Sequence, residues 1–197
     1  GYGGAIFVRE GGSLTIVDGH ITATNSVIGG QGGPGSGGAG ANGQADGRAI
    51  FINNTSAFYQ VSAGNSVTIR EDIAGNGNFT KRGTGNLTLT ANSSFSGLTT
   101  VSEGRLTVNG SMAASRFFVD TQGILSGNGS IGATAVSGFI APGNSIGTLN
   151  VQGDYVQNAN STYQVELNSA GQSDLIQVNG KAIINGGTLQ IVPEAGT

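Results

Sequence analysis

Gly143-Asn144-Ser145-Ile146-Gly147 has the G-x-S-x-G form of a nucleophile elbow. Such a serine needs a strand before it, a helix after it, and a histidine and an acid within reach. Here Thr148-Leu149-Asn150-Val151 follows with strand-like alternation, so the segment reads as a corner between strands. Gly127-Asn128-Gly129-Ser130-Ile131-Gly132 has the G-x-G-x-x-G form of a phosphate cradle, but no helix follows to present its N-terminus. His20 is the sole histidine, with Asp18 close by. A zinc or acid–base site draws on more His, Cys or grouped carboxylates, so His20 reads as a turn residue. The acids are dispersed, and Glu71-Asp72 is the one adjacent pair. Neighbours on a strand point to opposite faces, so these two are expected to diverge. No catalytic residue, metal ligand or cofactor is expected. Phe117 and Phe118 are candidate surface contacts, because consecutive strand residues cannot both face inward.

The elements that hold these residues follow one cadence: a Gly, a spacer, then alternating apolar residues. It occurs at Gly12-Ser13-Leu14-Thr15-Ile16, Gly85-Asn86-Leu87-Thr88-Leu89, Gly104-Arg105-Leu106-Thr107-Val108, Gly147-Thr148-Leu149-Asn150-Val151 and Gly187-Thr188-Leu189-Gln190-Ile191. The anchors Val67, Leu87, Leu106, Leu125, Leu149 and Leu189 are spaced by 20, 19, 19, 24 and 40 residues, the last being two units of 20. A fixed period near ~20 residues is the mark of a solenoid. Stacked units place Leu over Leu and Val over Val, burying continuous columns. The expected fold is all-β: a right-handed parallel β-helix with a Gly-rich loop near the N-terminus. Six to nine rungs at about 4.8 Å each make a rod of roughly 30–45 Å.

Composition narrows the alternatives. Gly numbers 37 of 197 residues while Pro numbers 3, and strict Gly-X-Y order is absent, which excludes collagen. Charged residues are 10%, too few for a disordered chain with this many β-branched residues. The net charge of −3 supplies no basic patch, so nucleic-acid binding is not expected. No apolar run approaches the ~20 residues of a membrane-spanning helix. Cys is absent, so disulfides contribute nothing. The chain starts at Gly1 rather than Met and reads as an excised piece of something larger.

Along the chain, Ala5-Ile6-Phe7-Val8 is echoed by Ala49-Ile50-Phe51-Ile52 across a low-complexity stretch at residues 29–47. That stretch is expected to be an insertion that leaves the solenoid and returns to it. The expected division is residues 1–63, N-terminal rungs including the loop, and residues 64–197, the regular array.

Residues 85–110, together with Leu125 to Gly132 and Ile140-Ala141-Pro142-Gly143-Asn144-Ser145-Ile146-Gly147-Thr148-Leu149, closely resemble the autotransporter-associated β-strand repeat. Asp174 to Gly180 followed by Gly187-Thr188-Leu189 is similar to the passenger region just ahead of the translocator barrel. The resemblance covers about residues 64–193. It implies a β-helical passenger at the Gram-negative cell surface, anchored through the outer membrane or released. It implies a translocator barrel of its own as partner, and a C-terminal passenger segment that acts as an autochaperone. Solenoids grow by adding rungs to an existing edge, so the segment with the most regular apolar columns makes the better nucleus. The candidate nucleus residues are Leu87, Leu89, Leu106, Val108, Leu125, Leu149, Val151 and Leu189. The expected function is therefore a non-enzymatic structural and interaction segment that aids folding and export and presents an adhesive or virulence-related surface to a host ligand. Two alternatives stay open: a β-helix polysaccharide-acting enzyme, which would gather three or more acids from neighbouring rungs, and a self-associating surface adhesin.

Overall fold

Short β-branched stretches punctuated by Gly and Asn can each make a strand of a few residues before a corner turns the chain. In the computed structural model, residues 5–21 and 46–193 are described, with the backbone alone of Pro34–Gly35 and Gly38–Ala39. Among the described residues there is no helix, and every ladder of strands between coils is parallel. The chain cycles through three faces and returns to the first about every twenty residues, the arrangement of a parallel β-helix.

The first face is a ladder of eight strands: Ser13–Val17, Ser56–Gln60, Asn78–Arg82, the leading parts of Leu98–Val108 and Arg116–Gly127, then Thr134–Val136, Tyr155–Gln157 and Ala182–Ile184. Seven intervals of about 4.8 Å give a ladder about 34 Å long. The second face holds Ser66–Ile69, Asn86–Leu89, the trailing parts of Leu98–Val108 and Arg116–Gly127, Phe139–Pro142, Thr162–Leu167 and Thr188–Pro193. The third face is made of two sheets. One pairs Ile6–Val8, Ile50–Ile52 and Ile73–Gly75; the other pairs Ser111–Met112, Ser130–Ile131, Thr148–Val151 and Leu175–Val178.

Leu98–Val108 and Arg116–Gly127 each run through the corner between the first two faces, with a register shift between Val101 and Glu103. Gly104 makes that corner with φ of +65°, and a Cβ there would collide with the carbonyl oxygen of Gly83 on the preceding coil. Only glycine meets both demands.

The echo of Ala5-Ile6-Phe7-Val8 in Ala49-Ile50-Phe51-Ile52 reflects consecutive coils: Ile6 pairs with Ile50, Phe7 with Phe51 and Val8 with Ile52. The outward rings of Phe7 and Phe51 stack with centroids 5.4 Å apart. The Gly-rich loop expected at 29–47 lies outside the described residues, apart from residues 46–47 and an antiparallel pairing of Pro34–Gly35 with Gly38–Ala39.

Glu71 and Asp72 correct an expectation. They sit at a bend, not in a strand, and both carboxylates converge on Arg48, at 3.6 and 3.4 Å. Asp72 Oδ2 also accepts the amide of Gly47 at 2.7 Å. Alternation holds only where the backbone is extended, and here the chain is turning onto the third face.

Candidate functional site

The interior columns position most of the candidate residues. Val67, Leu87, Leu106 and Leu125 lie over one another on the second face, in register and buried. Leu89 and Val108 continue the column begun by Ile69. The anchor spacing fails at the next step. Ile140, not Leu149, stacks on Leu125, followed by Tyr163 and Leu189. Leu149 and Val151 belong to the third face, where Leu149 lies against Ile176 and Val151 between Ile131 and Val178. The coil from Leu125 to Ile140 is short, and the next one carries extra residues, so a spacing of 24 steps from one face to another. Leu189 is the outermost of its column and is 61% exposed, unlike the fully buried Leu87, Leu106 and Leu125.

Phe117 and Phe118 part as strand alternation demands. Phe117 points into the core at 2% exposure and is no surface contact; Phe118 points out at 37%. An apolar hollow of about 400 Å³ surrounds Phe118, lined in part by Ala133, Ala135 and Val156, with Arg116 and Asp154 along one side.

A second, polar cleft of about 370 Å³ lies on the outside of the second face. Its floor is the outward column Thr107 and Ser126, whose hydroxyls are 2.9 Å apart and buried. They are covered because Gly143 folds back on Gly127: each amide donates to the other's carbonyl, at 2.9 and 3.2 Å. Gly143 makes this arch with φ of +88°. Asp174 pins the arch from the other side. Its Oδ1 accepts the amide of Gly147 at 2.9 Å, and its Oδ2 accepts that of Glu166 at 2.8 Å. This carboxylate is 4% exposed and spends itself on two backbone donors, so it is a structural clamp. Arg105 and Glu166 supply the remaining charges of the cleft. Burial lowers the pKa of Arg105, against the opposing pull of the Glu166 charge.

Ser145 of the G-x-S-x-G motif lines this cleft, and a strand, Thr148–Val151, follows it as expected. No histidine is near: His20 is exposed beside the first coil, while Ser145 precedes a strand several coils away. Gly127 of the glycine motif is likewise a corner, with φ of +116°. Asp18 carries out a corner task too. Its carboxylate accepts the amide of Ser62 at 2.7 Å, and that hydrogen bond lowers its pKa. Among the described residues no three His, Cys, Asp or Glu side chains cluster as a metal requires, and no helix is long and apolar enough to cross a membrane.

One interior residue escaped the sequence reading. Lys81 points inward on the first face and is fully buried. Its Nζ donates to the carbonyls of Gly83 and Glu103, at 2.5 and 2.8 Å. Burial pushes its pKa down to about 8, against the charge of Glu103. The available signal was its place two residues after Phe79, on the same side of the strand.

Residues 79–108 match the model of the passenger-associated-transport-repeat family. In the structure this stretch runs from Phe79 on the first face to Val108 at the end of the second face one coil later. The chain is 43% identical over 122 residues to an extracellular serine protease of Serratia marcescens, and 39% identical over 122 residues to another extracellular serine protease of that organism. Each match takes in 61% of this chain and 12% of the relative, so the chain spans a small part of the curated relatives it matches. The stacked parallel coils, the transport repeat and these relatives together bear out the autotransporter passenger region read from the residues.

Proposed function

We propose that this chain is a scaffold and folding segment of an autotransporter passenger, which promotes passenger folding outside the cell and export through an outer-membrane translocator. The observation that carries the reading is the run of in-register interior columns, of which Val67, Leu87, Leu106 and Leu125 are the clearest. A coil added to a finished coil meets a ready ladder of backbone groups and apolar side chains, whereas the first coil has neither. Folding on the far side of the membrane then opposes back-sliding through the translocator. The Leu149–Val151 strand extends the same logic on the third face.

The relatives are named as extracellular, and the same location is proposed here, either anchored or released. The outward Phe118 and its hollow are the proposed contact surface. No enzymatic role is proposed for this segment. The polar cleft gathers two acids, Glu166 and Asp174, and the second is held by backbone amides, short of the three expected of a polysaccharide-cleaving groove.

The test is display of a passenger carrying this segment ahead of its translocator. Leu149→Asp should reduce the surface-exposed fraction far more than Ser36→Asp in the Gly-rich stretch. Equal effects of the two substitutions overturn the folding role.

A further inference from the structure

Five Asn-Gly pairs lie within the described residues: Asn76-Gly77, Asn109-Gly110, Asn128-Gly129, Asn179-Gly180 and Asn185-Gly186. All share one intrinsic chemistry. Glycine has no side chain to shield its amide, so its nitrogen can reach the carboxamide carbon of the asparagine before it. The fold holds four of the pairs in the same way. The amide of Gly77 donates to Ile52 at 3.2 Å, that of Gly110 to Leu89 at 3.3 Å, that of Gly129 to Val108 at 2.9 Å and that of Gly180 to Gly153 at 3.0 Å. Each nitrogen is therefore engaged by a carbonyl of the preceding coil. Three of the four carboxamides are tied as well, Asn76 to Asn54, Asn109 to Asn144 and Asn179 to Gln152, at 2.7, 3.0 and 2.6 Å.

Asn185-Gly186 differs. It makes the corner between Ala182–Ile184 and Thr188–Pro193. The corner is tied at its ends, where the amide of Asn185 donates to Gln157 and that of Thr188 to Ser161, both at 2.8 Å. Between those ties the Gly186 amide and the Asn185 carboxamide have no hydrogen-bond partner among the described residues, and both residues are exposed. There is also room. A Cβ on Gly77, Gly110 or Gly129 would lie 2.2, 2.0 or 2.1 Å from a backbone oxygen, whereas on Gly186 the nearest atom is Ala159 Cα at 3.2 Å.

We propose that Asn185-Gly186 is a self-modification site, where the folded chain selectively converts asparagine to aspartate and isoaspartate. The Gly186 nitrogen gives up its proton and attacks Cγ of Asn185. An N–Cγ bond forms, the Cγ–Nδ2 bond breaks, and the nitrogen leaves as ammonia, its extra proton drawn from solvent. Water then opens the resulting succinimide. Addition at Cγ gives aspartate; addition at the main-chain carbonyl breaks the old peptide bond and gives isoaspartate. Nothing is oxidised or reduced. Either product adds one negative charge, and isoaspartate also lengthens the main chain by one carbon in a corner fixed at both ends. At the other four pairs the glycine amide must first leave its carbonyl by a local opening of the ladder. This site does not rest on the folding role, since the chemistry begins once the coils are formed.

The test is ageing of the intact chain at mildly alkaline pH, with peptide mapping by mass spectrometry and chromatographic separation of aspartate from isoaspartate. Conversion at Asn185 should run at least about tenfold faster than at any of the other four pairs, the scale set by giving up a backbone hydrogen bond. In concentrated urea the five rates should converge, because the dipeptide is common to all. Asn185→Gln should abolish the acidic species that accumulates first and leave the thermal melt unchanged, since the side chain is exposed. Equal rates in the folded chain overturn the proposal, as does a faster reaction at another of the five pairs. A preference for Asn185 that persists undiminished in urea also overturns it, because the fold would then not be its cause. So does an Asn185→Gln chain that gains the acidic species at the original rate.

Discussion

Lys81 Nζ lies 2.8 Å from the carbonyl oxygen of Glu103, inside the coil and one turn along from its own strand. With its bond to Gly83, this cation ties together two successive corners between the first and second faces.

This pair makes stability depend on pH in an unusual direction. Burial lowers the Lys81 pKa from 10.5 to about 8, so between those values the unfolded chain holds a proton that the folded chain has released. Where the unfolded state binds more protons, stability rises with pH. Urea midpoints should therefore climb from pH 8 to pH 10. Lys81→Met should remove the climb, and a flat wild-type profile would refute it. Above pH 10 the trend should reverse, because burial raises the Tyr59 pKa to about 12 and the unfolded chain then sheds its phenolic proton first.

Leu106 and Leu189 share a column but differ in burial, the first enclosed and the second 61% exposed. Leu106→Ala should cost about 2–5 kcal/mol, the range for a buried leucine that leaves a cavity. Leu189→Ala should stay within about 0.5 kcal/mol, as for a surface change. Chemical denaturation of the two variants checks this, and similar losses would contradict the burial argument.

Asp174→Ala should strand the amides of Gly147 and Glu166, at a cost of about 1–3 kcal/mol for buried groups left without a partner. The loss should be local. Hydrogen exchange should accelerate at those two amides and leave the amides of Leu87–Leu89 protected. Uniform acceleration through all coils would argue against a local clamp.

Gly104→Ala should destabilise by more than about 1 kcal/mol, since it forces a side chain into positive φ and against the Gly83 carbonyl. Gly64 also has positive φ, at +78°, but opens onto free space. Gly64→Ala should therefore cost less, and a thermal melt that ranks the two in the opposite order would discount the backbone contact between coils.

Much of the architecture was legible in the residue pattern. The twenty-residue period, the separation of Phe117 from Phe118, and the echo of Ile6-Phe7-Val8 in Ile50-Phe51-Ile52 all follow from extended backbone stacked in register. Other features were not legible. The step from Leu125 to Ile140 looked like a step to Leu149, because both are apolar residues in strand-like surroundings and only coil length tells them apart. The polar cleft depends on Gly143 folding back on Gly127 and on Asp174 reaching two amides from a later strand, contacts between segments that carry no shared motif.

Local spacing was enough to specify strands, corners and the solenoid, because a repeating side-chain pattern can bury its apolar face only by stacking like on like. Which face each late strand occupies, and where Lys81, Glu71 and Asp72 find their partners, emerged only once the coils were laid over one another. Those choices turn on distances between atoms some twenty residues or more apart in the chain, set by the length of each coil and the bend at each corner.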